Sequence, residues 1–364
     1  MRGCGAGVVL LLVAWAAPAG GDEVGGRVRV QLGHEYDTNV QRLPAPVVSD
    51  HLERVILDGL LRVDTGAHHL ALNYLGGFKI FHHQSSENLV ATKLAGSYHH
   101  AGGKGWTVGT RLVFRDTIQA RHDRDYRLLR GELVLGLGLG RGFWLETYAA
   151  GRWFDFKPDR YQDAGLEFSH AGPVAGLRLR LRGGAGISAV VFYQAGARFF
   201  DSRARRYENA MLTLTADDRF DLRHVSGIRV KHRIRTWERS KALLELSYAV
   251  SINDSNSGGS SAMWHRLRMV VSLQLPWDLS LHLMGTLQFT SFPDGIYIEG
   301  DLYEPDADEN ENSIVLRLGW RVWRGLSIVL HGGLYRNDFQ SSELDLASFA
   351  RETLMLGLSY DLPF

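Results

Sequence analysis

Leu129-Arg130-Gly131-Glu132-Leu133-Val134-Leu135-Gly136-Leu137-Gly138-Leu139 alternates residue by residue. Leu129, Gly131, Leu133, Leu135, Leu137 and Leu139 fall on one side, and Arg130, Glu132 and Val134 on the other. Successive Cβ atoms of a β-strand point to opposite faces, so period two sorts these side chains into one apolar and one mixed face. A helix would scatter the same leucines around its axis. A tilted strand crosses a hydrocarbon core in about 9–11 residues, which is the span of this segment.

The pattern recurs along the chain. Leu177, Leu179 and Leu181 alternate with Arg178, Arg180 and Arg182. Met263, Leu267, Met269, Val271, Leu273 and Leu275 alternate with Trp264, Arg266, Arg268 and Gln274. Each reads as lipid on one side and water on the other, which predicts an all-β fold, a transmembrane antiparallel β-barrel. Sixteen strands are expected, beginning near Arg27, Val55, Leu70, Leu89, Trp106, Tyr126, Phe143, Val174, Ile187, Leu222, Ala242, Met263, Leu279, Ser313, Leu326 and Arg351. Eighteen is the alternative, because Ala164 to Phe168 and Met211 to Thr215 fit either a strand extension or an extra hairpin.

The connections alternate too. Asp64-Thr65-Gly66, Ala101 to Gly105, Gly140-Arg141-Gly142, Gly183 to Gly186, Pro276-Trp277-Asp278 and Trp323-Arg324-Gly325 are short turns. Asp37 to Asp50, His83 to Asn88, Gln119 to Asp125, Lys157 to Gly172, Asp201 to Asp221, Asp254 to Ser261, Pro293 to Asn312 and Asn337 to Ala350 are longer polar connections. Outer-membrane barrels keep short turns in the periplasm and long loops outside, so both termini are expected in the periplasm. Trp106, Trp144, Trp277, Trp320 and Trp323 lie beside the short turns, and Trp153 and Trp264 toward the other end. Indole favours the membrane interface, although parity turns Trp144, Trp264 and Trp323 inward.

Composition agrees with this architecture. The 364 residues are 45% hydrophobic, with 41 glycines, nine prolines and one cysteine; the mean hydropathy is −0.14. After the first residues no apolar run reaches helix-spanning length, which excludes a helical membrane protein but not a barrel. Arg2, the apolar run Val8 to Ala16 and Ala17-Pro18-Ala19 read as a secretory signal over residues 1–19, leaving residues 20–364 as one barrel domain. Cys4 precedes the apolar run, where no lipoprotein signal places its cysteine. The mature chain then has no thiol, and its stability rests on burial and hydrogen-bond closure.

Leu354, Leu356, Leu358, Tyr360, Leu362 and Phe364 occupy every second position up to the terminal phenylalanine. This end resembles the C-terminal β-signal of bacterial outer-membrane β-barrel proteins, which implies Leu356, Leu358, Tyr360, Leu362 and Phe364 as an assembly signal. The barrel-assembly machinery, outer-membrane lipids and lipopolysaccharide are the partners so implied. Gly33-His34-Glu35-Tyr36-Asp37-Thr38-Asn39 and Asn253-Asp254-Ser255-Asn256-Ser257 resemble stretches of uncharacterised barrels of this kind, where a strand leaves the bilayer. Asp and Asn fold back on backbone amides in such turns, a structural reading rather than a ligand site.

Function is sought on the polar face. Arg111, Arg115, Arg130, Arg152, Arg178, Arg180, Arg182, Arg198, Arg266, Arg268, Arg317 and Arg321 share parity with it and are expected to line a pore, with Arg229, Lys231 and Arg233 beside them. Glu132, Glu146 and Glu245 are its clearest acids. The net charge is only +1 because acids gather elsewhere, notably between Glu299 and Glu311. Guanidinium groups in a channel concentrate anions. The expected activity is an outer-membrane channel, or porin, passing anionic solutes or an exported acidic polymer. In size, inferred strand number and arginine-rich interior the chain resembles polysaccharide-secretion porins. That implies a separate periplasmic export component, since this chain has no helical-repeat domain.

Two alternatives stand: a structural or assembly barrel whose arginines brace the wall, and a lipid-modifying enzyme. Neither Gly-x-Ser-x-Gly nor His-Glu-x-x-His occurs, and His122-Asp123 and Ser226 beside His224 are only loose catalytic pairs. His68-His69 and His99-His100 should meet on neighbouring strands, with His82-His83 at the opposite end. Adjacent strand residues face opposite sides, so none of these pairs chelates by itself. The acids between Glu299 and Glu311 lack the spacing of a calcium loop. The sequence therefore points to no enzyme, no metal site, no cofactor and no nucleic-acid partner.

Overall fold

The computed structural model describes residues 23–42, 45–103, 105–122, 125–140, 142–156, 168–208, 211–237, 240–291, 312–337 and 349–364. The signal segment with Cys4, Arg141, Asp123, most of the 157–172 and 337–350 connections and the acids of 299–311 lie outside these residues.

Sixteen antiparallel strands close into one barrel, each paired with its neighbours in sequence. They are β1 (Glu23–Asp37), β2 (Asp50–Thr65), β3 (His68–Phe81), β4 (Leu89–Gly102), β5 (Trp106–Gln119), β6 (Tyr126–Gly140), β7 (Phe143–Phe156) and β8 (His170–Arg182). The second half comprises β9 (Ile187–Glu208), β10 (Met211–Trp237), β11 (Ser240–Ser255), β12 (Ala262–Gln274), β13 (Leu279–Ser291), β14 (Asn312–Arg321), β15 (Leu326–Asn337) and β16 (Phe349–Pro363). The seam runs from Arg27 opposite Pro363 to Asp37 opposite Thr353. Beyond the strand, Gly26 N–H donates to the Phe364 carbonyl at 2.8 Å and Phe364 N–H to the Gly26 carbonyl at 3.1 Å. Closure removes the two sheet edges, which no membrane environment would satisfy.

The two faces sort as the alternation requires. Leu133 is 67% exposed, and Leu177, Leu267, Leu287, Leu316 and Leu356 are exposed on the same outward face. Each strand turns its polar parity inward. The short turns and the termini share one end, called here the terminal end, and the longer connections share the other, the loop end. Gly142 shows why those turns carry glycine: its φ is 84° and a Cβ would stand 2.5 Å from the Arg182 carbonyl, a geometry that excludes a side chain.

The strand count and most starts follow the alternation, but β2 begins at Asp50 rather than near Val55 and β10 at Met211 rather than near Leu222, and two further expectations are corrected. Asp201 to Asp221 is not a polar loop, because β9 and β10 run on as a long hairpin to Glu208 and Met211. The hairpin rests on the β11–β12 connection, where Gly258 N–H donates to the Arg205 carbonyl at 2.8 Å and Arg205 N–H to Ser257 Oγ at 3.1 Å. Backbone pairing outweighed the polar composition from which a loop was expected. Trp323 does not face inward but sits in the β14–β15 turn, 68% exposed, because strand parity ends at Arg321. Trp144 and Trp264 do face inward, Trp264 buried and Trp144 against Gly136 and Gly138.

The interior is filled unevenly. Toward the loop end, Tyr126, Leu128, Phe154, Phe156 and Phe168 form a buried cluster, extended by His170 between Phe154 and Phe200. Val40, Leu52 and Phe81 form a smaller one. These apolar side chains pack against one another inside the wall and are buried there.

Candidate functional site

The twelve arginines expected to line a pore all lie on the inward parity of their strands, and the structure separates them by what they touch. A braced sector spans β5 to β8. Glu146 on β7 is 4% exposed and accepts from Arg178 Nη1 at 2.6 Å, Arg180 Nη2 at 2.8 Å and Arg111 Nη1 at 3.0 Å. Glu132 on β6 lies 2.8 Å from Arg130 Nη2 and 3.3 Å from Arg111 Nη1. The Arg178 guanidinium also stacks on Tyr148 at 4.2 Å from the ring centroid. Two carboxylates thus hold four guanidinium groups together in a low-dielectric wall, where charge-assisted bonds are strong. Arg178 and Arg180 are ion-paired, as the bracing alternative expects, because the β7–β8 register carries Glu146 beside them.

Arg152 and Arg198 line a small void with Arg130, His170 and Arg223, next to the aromatic cluster. Arg266 donates to Gln288 Oε1 at 2.9 and 2.7 Å, and Arg268 Nη2 approaches Met284 Sδ at 3.0 Å. Arg115 stands opposite Lys93 and Leu128 on the flanking strands. Arg182 lies at the terminal end of β8, opposite Ser188.

An open sector lies across the barrel at the terminal end. A cavity of about 540 Å³ is lined by Arg29, Arg233, Lys241, His282, Arg317 and Arg321, with Asp278 and Asp361 as its acids. Asp361 is committed to Arg29 at 2.6 Å, and Arg317 Nη2 donates to Gln31 Oε1 at 3.2 Å. Among the described residues, no carboxylate forms an ion pair with Arg233, Lys241 or Arg321. Five cations thus face two carboxylates around this space, so its field attracts anions.

Sequence reasoning missed several inward groups. Glu35, 2% exposed, accepts from Arg54 Nη1 and Lys79 Nζ, both at 2.9 Å. Arg27 pairs with Asp58 at 3.1 Å, and Arg351 with the fully buried Asp37 at 2.6 Å. At the loop end Asp221, also fully buried, accepts from Arg219 at 2.9 Å, Asn253 Nδ2 at 2.9 Å and Ser255 Oγ at 2.5 Å. The parity signal was present at Arg27, Arg29 and Glu35, but β1 and β2 carry inward residues of both signs and read as less basic. Asp37, singled out as a structural turn residue, does serve that role, its Oδ1 accepting from Asn39 N–H at 3.1 Å; Asn253 lies within β11 and instead donates Nδ2 to the Ser260 carbonyl at 2.9 Å.

The loose catalytic pairs are engaged elsewhere. His224 Nδ1 bonds the Tyr193 hydroxyl at 2.7 Å on the outward face, and His122 Nδ1 bonds Asp125 at 2.7 Å. His68 and His69 do meet their partners, standing opposite His100 and His99.

No protein-family model matches the chain, and no curated protein matches it. Among solved structures, the chain is similar to a bacterial polysaccharide outer membrane secretin at 7% identity and a TM-score of 0.45, covering 94% of this chain and 98% of that one. It is similar to an anion-selective porin from Comamonas acidovorans at 10% identity and a TM-score of 0.42, covering 94% and 100%. It is also similar to OccK2 of Pseudomonas aeruginosa, solved in complex with glucuronate, at 10% identity and a TM-score of 0.41, covering 94% and 97%.

Proposed function

We propose that this chain is a bacterial outer-membrane channel whose interior favours anionic solutes. The observation that carries the reading is the cavity at the terminal end, where Arg233, Lys241 and Arg321 face open space without an ion-paired carboxylate among the described residues. A cation left unpaired in a wet, low-dielectric passage lowers the barrier for anions and raises it for cations. The outward leucines and the closed ladder make a bilayer the natural solvent of the wall. In this reading the terminal end faces the periplasm, and the cavity is the periplasmic mouth. The solute class is carboxylate- or phosphate-bearing, either a small anion or an exported acidic polymer such as a polysaccharide. The second reading, a barrel without transport, draws on the braced sector around Glu146 and Glu132. A lipid-modifying enzyme draws on no comparable feature, since His224 and His122 are held by Tyr193 and Asp125.

Single-channel recording of the purified barrel in planar bilayers under a salt gradient tests this. The expected result is a reversal potential on the anion side that moves toward cation selectivity when Arg233 and Arg321 become glutamate. A correctly folded barrel that conducts nothing would overturn the channel reading in favour of the structural one. Conductance with a selectivity indifferent to both substitutions would overturn the anion preference alone.

A further inference from the structure

Three imidazoles and a carboxylate gather on the outside of the barrel at the loop end of β1 to β3. His34 on β1, His51 and Glu53 on β2, and His82 just beyond β3 all have exposed side chains near the loop end. The outward residues around them include Leu32, Tyr36 and Ile80, all exposed, with the Tyr36 ring 4.8 Å from that of His51. Exposed ion pairs add little stability, so a fold-stabilising role does not account for four polar groups together there.

The distances fit coordination. His34 Nδ1 and Glu53 Oε1 are 2.9 Å apart and His82 Nε2 and Glu53 Oε1 3.5 Å, and no two ligand atoms of the three residues are further apart than 4.8 Å. Tetrahedral zinc with bonds of about 2.0–2.1 Å spaces its ligands roughly 3.3 Å apart. The two short edges bracket that value, and His82, 43% exposed on its side chain, is free to turn and close the third. The other nitrogen of His34, Nε2, lies 3.1 Å from His51 Nδ1, with the two rings stacked at 5.2 Å. A metal-bound histidine is characteristically oriented by a hydrogen bond from its second nitrogen, and His51 Nδ1 stands where it can accept one.

From these contacts we infer that His34, Glu53 and His82 form a divalent transition-metal site of the zinc and copper class on the outward rim, with His51 as the positioning residue of His34. Two imidazole nitrogens and one carboxylate select such ions over calcium or magnesium, which prefer oxygen ligands. Three protein ligands leave a coordination position open to water or to an anionic group at the membrane surface. Metal at His34 Nδ1 requires the Nε2–H form, which donates to His51 Nδ1; a neutral Nδ1–H imidazole reaches it by moving its proton to Nε2, and an imidazolium by releasing its Nδ1 proton to solvent, so both nitrogens keep a partner.

The test uses the full-length barrel, purified without a histidine tag, stripped with a chelator and titrated with Co²⁺ and then Zn²⁺. One equivalent of Co²⁺ should bind with the visible absorption of a low-coordinate site and be displaced by Zn²⁺. His34→Gln, Glu53→Gln and His82→Gln should each weaken binding at least about tenfold, and His51→Gln by a smaller factor, as loss of an orienting partner does. His83→Gln, at the same end but turned to Asp50 at 2.9 Å, should bind as the parent does. All four cluster side chains are exposed, so heat-modifiable mobility should remain normal and certify the fold of each variant. Failure to bind one equivalent overturns the site. So does stoichiometric binding that survives His34→Gln together with His82→Gln, since the metal would then sit elsewhere, with the His68–His100 pair as the first place to look. Neither outcome bears on conductance, so this inference and the channel reading fail separately.

Discussion

Glu146 holds guanidinium groups from strands on both sides of it: Arg111 from β5, two strands away, and Arg178 and Arg180 from the adjacent β8. Removing one partner of a buried ionic group leaves the remaining charges uncompensated, at a cost of about 3–5 kcal/mol. Arg180 is 45% exposed and can recover water, so Glu146→Ala should cost about 3 kcal/mol, the lower end of that range. Denaturant unfolding in lipid vesicles reads this directly, and an unchanged midpoint would mean that the brace contributes nothing. On the opposite face, Leu133 lies midway along β6 and is 67% exposed. Leu133→Arg should cost about 2–4 kcal/mol if that face meets hydrocarbon, whereas the same exchange on a barrel standing in water would cost little. The same vesicle unfolding compared with detergent of low hydrophobic thickness separates the two.

At the scale of the element, β16 closes the barrel against β1 and turns Leu354, Leu356, Leu358, Tyr360, Leu362 and Phe364 outward, each exposed. The main chain of Phe364 makes both hydrogen bonds to Gly26 that extend the seam. Deleting Phe364 removes those bonds and the last outward aromatic, and should reduce the fraction of barrel in the outer membrane. Surface levels and heat-modifiable mobility equal to the parent's would sink the assembly-signal reading. Connections carry the second expectation at this scale. A tag in the Pro293 to Asn312 connection should be reached by protease in intact cells, and one at Gly102-Gly103 only once the outer membrane is opened. The reverse pattern would invert the barrel in the membrane.

Over the whole molecule, the charge is distributed by sector. The β5–β8 wall ties four of its arginines to two carboxylates, whereas the cavity at the terminal end sets five cations around two carboxylates. Exposed charges are screened over about 10 Å at 0.1 M salt and about 30 Å at 0.01 M. Anion preference should therefore be largest at low salt and shrink as salt rises. A reversal potential that gives the same permeability ratio at both ends of that range would argue for steric rather than electrostatic selection, and against the basic cavity as its source. Arg180 and Arg268, which parity alone would choose for such an experiment, are poorer choices than Arg233 and Arg321. Charge reversal at Arg180 also places a second carboxylate beside Glu146.

Alternation of the kind seen along Leu129–Leu139, Leu177–Arg182 and Leu354–Phe364 carried the barrel class, an expected sixteen strands, most strand starts and the inward parity of the arginines, but not the start of β10 at Met211 or the place of Trp323. Those properties follow from the two-residue period of a single strand and from turn chemistry between strands, both local in sequence. What the inward arginines do was decided by strand pairing, because a guanidinium is braced or available according to what the neighbouring strand sets opposite it. Glu146 comes to Arg178 through the β7–β8 register, in which the two stand directly opposite. His34, Glu53 and His82 meet for the same reason: β1 and β2 set His34 opposite Glu53, and His82 follows β3 on the far side. The excess charge of the cavity is likewise a sum over β1, β10, β11, β14 and β16, elements distant in sequence that only closure of the barrel brings around one space.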